Sequence, residues 1–451
     1  QQWAFFPSVS GGWRVSEEAF WKVNPDLFSN LKIRASYGSL GNGNVSPYSF
    51  LELLSISTSG RVLNGLKNKY TSAPAVMPDG LTWETATTTD VGLDFGMLNN
   101  RLQFNGDYYI RKTTDMYTVG ETLPDVFGAS SPKGNYADMT TKGWEITLTW
   151  RDQFTLAEKP FNYEIRGTLS DYISTIDRYN NQTGNLDDYY AGKRVGEIWG
   201  YVTEGLFKDQ ADIDNHADQT LIQSSSKRIT YPGDVKIKDL NGDHVIDYGN
   251  NTVDDHGDKT VIGNALPRYA YSINLSGDWN NFFLSAFFQG VGKQDWYPSS
   301  ECIFWGQYNR PYNNMPTWHQ GNYWTEDNTD AYLPRYAGYN ASLKSTPQTR
   351  YLQNVAYIRL KNLQFGYTLP QPIVSKAKLQ NVRVYISAEN LWCWSPLYKH
   401  THDLDVTNIY GSDPDLTSAD MSSGLNGNRG SGDGNSYPQM KSVSLGLSVT
   451  F

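Results

Sequence analysis

Apolar and polar side chains alternate along much of this chain with a period of two, the spacing at which successive strand residues point to opposite faces of a sheet. The closing stretch shows it without interruption. Val443, Leu445, Leu447, Val449 and Phe451 share one face, and Ser444, Gly446, Ser448 and Thr450 share the other. The apolar face runs to the final carboxylate with no polar tail. That suits a transmembrane barrel strand of about 9–11 residues, and the last strand of a soluble all-β domain is the alternative.

The pattern recurs upstream. Trp3 to Val15 reads as a strand-like run kinked at Pro7, and Leu31, Ile33, Ala35 and Tyr37 alternate with Lys32, Arg34, Ser36 and Gly38. Val91 to Met97 and Leu102 to Ile110 form two alternating runs joined by a short turn at Asn99-Asn100, the signature of a hairpin. Trp144, Ile146, Leu148 and Trp150 oppose Glu145, Thr147, Thr149 and Arg151; Phe161, Tyr163, Ile165 and Leu169 oppose Asn162, Glu164, Arg166 and Thr168. Further on, Tyr271 to Trp279 alternates up to a turn at Asn280-Asn281, whereas Phe282 to Gln289 is apolar on both faces. Ile358 and Leu360 change phase before Leu363, Phe365 and Tyr367, which predicts a bulge near Lys361-Asn362. Val382, Val384, Ile386 and Ala388 oppose Arg383, Tyr385, Ser387 and Glu389. The sum is about eleven or twelve strands. Short turns alternate with long polar loops, at about 41–80 and from the end of the 382–389 run to about 437, the asymmetry of an outer-membrane barrel. Arg34, Glu145, Arg166 and Glu389 on the second face suit a water-filled lumen better than a packed core.

Composition sharpens the class to all-β. In 451 residues there are 40 Gly and 14% aromatics, favouring strands, tight turns and interfacial girdles. Mean hydropathy is negative, and no apolar run reaches the length of about 18 residues that a membrane helix needs, so any span must be a barrel with a polar lumen. A net charge of −9 and a pI near 5.2 exclude nucleic acid as the expected partner. Cys302 and Cys393 are far apart in sequence; isolated buried thiols are expected, with a single disulfide as the alternative and no Cys-x-x-Cys motif. The chain opens Gln1-Gln2-Trp3 without Met, charged n-region or apolar h-region, so for an exported protein the start is expected to lie upstream.

Two constellations carry candidate chemistry. Asp239, Asn241, Asp243 and Asp247, with the carbonyl of Val245, place oxygens at positions 1, 3, 5, 9 and 7 of a calcium-loop pattern, and a hard cation, Ca²⁺ or Mg²⁺, takes six to eight such oxygens. The pattern departs at His244, where the sharp-turn glycine belongs, and at Asn250, which offers no bidentate carboxylate; the run Asp254-Asp255-His256-Gly257-Asp258 is a second source of ligands. A solvated Asp/Asn turn held by side chain to backbone hydrogen bonds is the alternative. Trp296, Tyr297, Phe304, Trp305, Tyr308, Tyr312, Trp318, Tyr323 and Trp324 crowd one Asn/Gln-rich segment. Of these, Trp296, Trp305, Tyr308, Trp318 and Trp324 are candidates for stacking on a sugar or peptide, with packing of the loop on itself or on a lid partner as the competing reading. No G-x-S-x-G or H-E-x-x-H motif points to an enzyme.

FPSVSGGWRVSEEAF, LKIRASYGSLGN, TWETATTTDVGLDFGMLNNRL, PGDVKIKDLNGDHVID, IGNALPRYAYSINL and SYPQMKSVSLGLSVTF, in this order, resemble the C-terminal barrel portion of the SusC/RagA family of TonB-dependent outer-membrane transporters of Bacteroidetes. The terminal Phe451 is also similar to the signal read by the outer-membrane assembly machinery. The resemblance spans essentially all of residues 1–451. It implies a transmembrane antiparallel β-barrel of about 22 strands with long extracellular loops, of which this chain would be the C-terminal half. It further implies an N-terminal plug and first strands outside this sequence, energy from the TonB–ExbB–ExbD complex, and a SusD-like surface lipoprotein as a lid. The substrates implied are oligosaccharides, or peptides in the RagA-like branch. Two rival functions remain at this level: a passive outer-membrane porin, and a secreted carbohydrate-binding β protein with a calcium loop.

Overall fold

The alternating runs become eleven strands of one sheet in a computed structural model, which describes residues 3–43, 51, 54–71, 80–120, 126, 131–223, 229–298, 302–308, 314–337, 346–407 and 439–451. The strands are β1 (Ser8–Arg14), β2 (Phe28–Asn42), β3 (Glu84–Met97), β4 (Leu102–Val119), β5 (Lys133–Leu156), β6 (Lys159–Arg178), β7 (Arg268–Trp279), β8 (Phe282–Lys293), β9 (Tyr357–Thr368), β10 (Asn381–Trp394) and β11 (Ser442–Thr450). Each pairs antiparallel with the next in chain order, so the sheet is a meander with β1 and β11 as its edges. It is open.

The connections obey the expected asymmetry. At one end, Ala157 and Glu158 join β5 to β6 and Asn280 and Asn281 join β7 to β8, all four with positive φ (46°, 65°, 47° and 70°), as a tight hairpin matched to strand twist requires. Asn99-Asn100 turns as expected, and Leu98 joins it at φ 55°. The connections from β2 to β3, β6 to β7, β8 to β9 and β10 to β11, the long ones in sequence, leave the sheet at its other end. β5 reaches 24 residues, about 80 Å at the usual rise and well beyond the thickness of about 30 Å of a bilayer's hydrocarbon layer, so its length exceeds what a membrane crossing needs.

The register carries one apolar face. Leu284, Phe365, Ile386 and Leu445 face one another across four strands, each exposed, and Val443 and Leu447 continue the row set on β11. The bulge expected near Lys361-Asn362 is present: β9 slips register against both neighbours between Leu360 and Asn362. β8 is the strand whose two apolar faces broke the pattern, and the structure turns Phe283 and Phe287 onto the polar side, opposite Asp278 and Asn274.

The hydrophobic core lies outside the sheet. Tyr201, Ile237, Ile246, Trp296, Trp305 and Leu397 belong to one buried cluster built by the long loops. Short paired strands frame it: Glu197–Tyr201 with Lys259–Asn264, Thr203–Leu206 with Val235–Ile237, and Asp295–Trp296 with Gln353–Asn354. The described residues of these loops therefore form a packed body.

Candidate functional site

The polar face of the sheet is a wall of paired charges. Arg34 on β2 meets Asp94 at 2.8 Å and, reaching over β3, Asp107 on β4 at 2.9 Å. It can do so because Gly92 stands between them: a Cβ there would lie 2.3 Å from the Asp107 carboxylate and 2.6 Å from the guanidinium. Near the tight-turn end, Arg151 pairs with Glu164, Arg101 with Asp152, and the Asn162 amide donates to Asp278 at 2.8 Å. A concavity of about 1220 Å³ opens there, lined by Arg151, Glu164, Asp278, Phe283 and Arg383 among others. The Arg383 guanidinium lies 4.3 Å from the centre of the Phe283 ring, within cation–π range. Such a wall keeps water and polar solutes against it at no desolvation cost, as a lumen must.

In the loop body the aromatic candidates divide. Trp296, Trp305 and Tyr308 are 1%, 0% and 0% exposed, so they present no face to a solute, which corrects the expectation of stacking for these three. Their edges pack against one another: Trp305 meets Phe304 and Tyr351 edge-on, both at 5.2 Å, its Nε1 donates to the Pro298 carbonyl at 3.2 Å, and the Tyr308 hydroxyl donates to the Pro334 carbonyl at 2.6 Å. Burial pushes the Tyr308 phenol well above its ordinary pKa. A long loop with this many rings buries them because apolar area gained in a core outweighs exposure to water. Trp318 and Trp324 remain half-buried. Trp324 lies over Gly233, where a Cβ would sit 2.5 Å from the indole. Tyr312 falls outside the described residues.

The acidic turn is held by its own backbone. Asp239 accepts from the N–H groups of Gly242 (2.6 Å) and His244 (2.9 Å), Asn241 from that of Asp243 (3.0 Å), Asp243 from that of Val245 (2.8 Å), and Asp247 from that of Gly249 (2.8 Å). The Gly242 amide, then the His244 amide, hold the Asp239 carboxyl below the usual range. Asp258, wholly buried, accepts from Leu240 and Asp247 and ties the turn to the second acidic run. Among the described residues no three His, Cys, Asp or Glu side chains converge as a metal requires. Amide acceptance holds the turn by side chain to backbone hydrogen bonds and leaves the carboxylates of Asp239, Asp243 and Asp247 with further lone pairs, so these, Asn241 and the Val245 carbonyl stand as a proposed Ca²⁺ or Mg²⁺ loop. Cys302 is buried and Cys393 only partly so, and both are free thiols. No helix of the described residues is long and apolar enough to cross a membrane, which says nothing about crossing by strands.

An antiparallel meander with one exposed apolar face, one charged face, tight turns at one end and a loop body at the other is a section of an outer-membrane-type barrel wall. The chain belongs to the family described as TonB dependent receptor-like, beta-barrel, whose model matches residues 1–391. Similar proteins include TonB-dependent receptor P3 of Formosa agariphila, 29% identical over all of this chain and 42% of that protein. TonB-dependent receptor SusC of Bacteroides thetaiotaomicron is 23% identical, over all of this chain and 40% of its own length. The chain thus spans about two fifths of the curated relatives it matches. Among solved structures, the RagAB peptide importer in its open-open state superposes with a TM-score of 0.69 at 20% identity, covering 99% of this chain and 43% of that one. The closed-closed state gives 0.68, at 99% and 44%. This establishes the fold as a partial barrel of the SusC/RagA type.

The Phe283–Arg383 contact escaped the sequence reading. The two-faced apolar character of Phe282 to Gln289 was its signal, but the partner lies two strands away and only the register reveals it.

Proposed function

We propose that this chain is the C-terminal barrel portion of a SusC-like importer in the bacterial outer membrane, which takes up oligosaccharides or peptides with a SusD-like lipoprotein lid and energy from TonB–ExbB–ExbD. The observation that carries the reading is the two-faced sheet: an apolar face for lipid, and a charged face lined by Arg34, Asp94, Asp107, Arg151 and Glu164 that needs water beside it. Membership of the TonB-dependent receptor-like family supports it. An importer of this kind is not an enzyme; the wall presents paired charges for solute passage rather than a nucleophile with its base.

Half-buried Trp318 and Trp324 on the loop body are the aromatic residues we propose for contact with solute or lid. Uptake by cells carrying the full-length gene tests the proposal. Accumulation of labelled oligosaccharide or peptide should cease when the proton-motive force is collapsed or tonB is deleted, and the lipoprotein encoded beside the gene should co-purify. Uptake that persists without energy would replace the importer by a passive porin.

A further inference from the structure

We infer that Asn251 and Lys259 join spontaneously through an intramolecular isopeptide bond, which staples the second acidic run of the loop body into a closed ring. The inference lies beyond the importer reading and rests on groups that this chain itself brings together.

Three segments deliver an amine, a carboxamide and a carboxylate in line. Lys259 Nζ donates to Asn251 Oδ1 at 2.8 Å, and Asn251 Nδ2 donates in turn to Asp187 Oδ2 at 2.9 Å and to Asn185 Oδ1 at 3.2 Å. The backbone holds each group in place. Asn251 turns at φ 56°, its N–H donating to the Tyr248 carbonyl and its carbonyl accepting from the Leu186 N–H, both at 2.9 Å. Lys259 opens the strand Lys259–Asn264 opposite buried Tyr201, and its Nζ lies 5.6 Å from the centre of the Tyr248 ring. The Asp187 N–H donates to Asn185 Oδ1 at 3.0 Å, so the carboxylate is carried on the same turn that meets the Asn251 amide. Asn251 and Lys259 are both half-buried, whereas Lys159 and Asn280, which make a similar amine to amide contact at a tight turn, are both exposed.

The chemistry needs no co-reactant. An amine 2.8 Å from the carbonyl oxygen stands about 3.5 Å from the carbon bonded to it, a near-attack separation. Burial pushes the Lys259 ammonium below its ordinary pKa, partly offset by the Asp187 carboxylate, and the neutral amine is the form that attacks. Lys259 Nζ bonds to Asn251 Cγ, the bond from Cγ to Nδ2 breaks, and Nδ2 leaves as ammonia. Asp187, already hydrogen-bonded to Nδ2, takes the proton released from Nζ and returns it to the leaving nitrogen. One amide replaces another, so nothing is oxidised or reduced. The product ties residue 251 to residue 259 across Asp254, Asp255 and Asp258.

Mass spectrometry of tryptic peptides from the full-length transporter, purified from outer membranes, tests the bond. Trypsin cuts after Lys238, Lys259 and Arg268 in this region, and an acylated Lys259 is no longer a cutting site. Residues 239–268 should therefore appear as one peptide, lighter than its sequence by one ammonia and giving no backbone fragments between 251 and 259. Lys259→Arg and Asn251→Ala should each return all peptides at their sequence masses. Asp187→Asn should slow linkage by roughly 10²–10⁴-fold, the usual contribution of a positioned acid–base group, and leave freshly made protein largely unlinked. A parent protein that is cut after Lys259 would overturn the bond, and so would an ammonia loss confined to residues 239–259, which marks a succinimide at Asn241-Gly242 instead. The parent's own mass decides, so misfolding of a variant leaves the test intact.

Discussion

Arg359 on β9 and Asp405 beyond β10 meet at 2.6 Å as a buried ion pair, their side chains 6% and 8% exposed. The same guanidinium donates to Gln439 Oε1 at 2.9 Å, and Asp405 accepts from the Gln439 backbone N–H at 3.0 Å. The pair thus clasps the start of the long connection to its end, just before β11, and helps to place the closing strand.

Removing one partner strands a buried charge. Arg359→Met should therefore destabilise the clasp by about 3–5 kcal/mol, while Arg359→Met with Asp405→Leu should recover much of the loss. Denaturant midpoints of the full-length protein in detergent read both. A single variant as stable as the parent would show that the clasp contributes nothing to β11.

On β11 the two faces should answer oppositely to charge. Leu447→Arg puts a cation on the apolar face, where the cost near mid-bilayer is about 2–4 kcal/mol, whereas Ser448→Arg enters the polar wall and should be milder. The yield of heat-modifiable protein in outer membranes compares them. Equal losses would remove the assignment of faces.

Asp258 is the buried acceptor that ties the acidic turn to the second acidic run. Asp258→Ala removes the buried carboxylate that accepts from the Leu240 and Asp247 amides and should destabilise the turn by about 1–3 kcal/mol in all, while Asp243→Ala, on an exposed residue, should be milder. Proteolysis within 239–258 should rise for the first variant. Cleavage of the parent induced by chelator and reversed by Ca²⁺ would establish the proposed calcium loop, and resistance unchanged by chelator would remove it.

Acid should loosen the loop body. His319 is wholly buried, with Nε2 at 2.9 Å from the Phe304 carbonyl and Nδ1 without a hydrogen-bond partner among the described residues, and burial pushes its pKa from 6.5 down to about 4. The unfolded imidazole gains its proton near pH 6.5 and the folded one only near 4, so stability present above that window is lost as pH falls through it. Protection factors at the Phe304 and Trp305 amides, which divide out the intrinsic pH dependence of exchange, should fall between pH 6.5 and 4 in the parent, and His319→Gln should flatten this dependence. An identical pH profile in both proteins would exclude His319 as the titrating group.

Much of the wall was legible because a strand's two faces are a local property: the alternation around Leu445, the turns at Asn99-Asn100 and Asn280-Asn281, and the phase change at Leu360 each need only near neighbours in sequence. Length and spacing of polar runs likewise marked which end carries loops. Long-range contacts were decided only by the fold. Whether Trp305 stacks on a solute or fills a core depends on Tyr351 and Pro298 arriving beside it. That Asp239 accepts from the Gly242 and His244 amides depends on the backbone conformation of a few residues, which the odd-position oxygen spacing leaves open. Gly92 and Gly366 read as ordinary small residues until the register sets Arg34 and Phe283 across them. Side-chain periodicity follows from the covalent chain, whereas the partner of a side chain follows from which distant strand the sheet brings alongside.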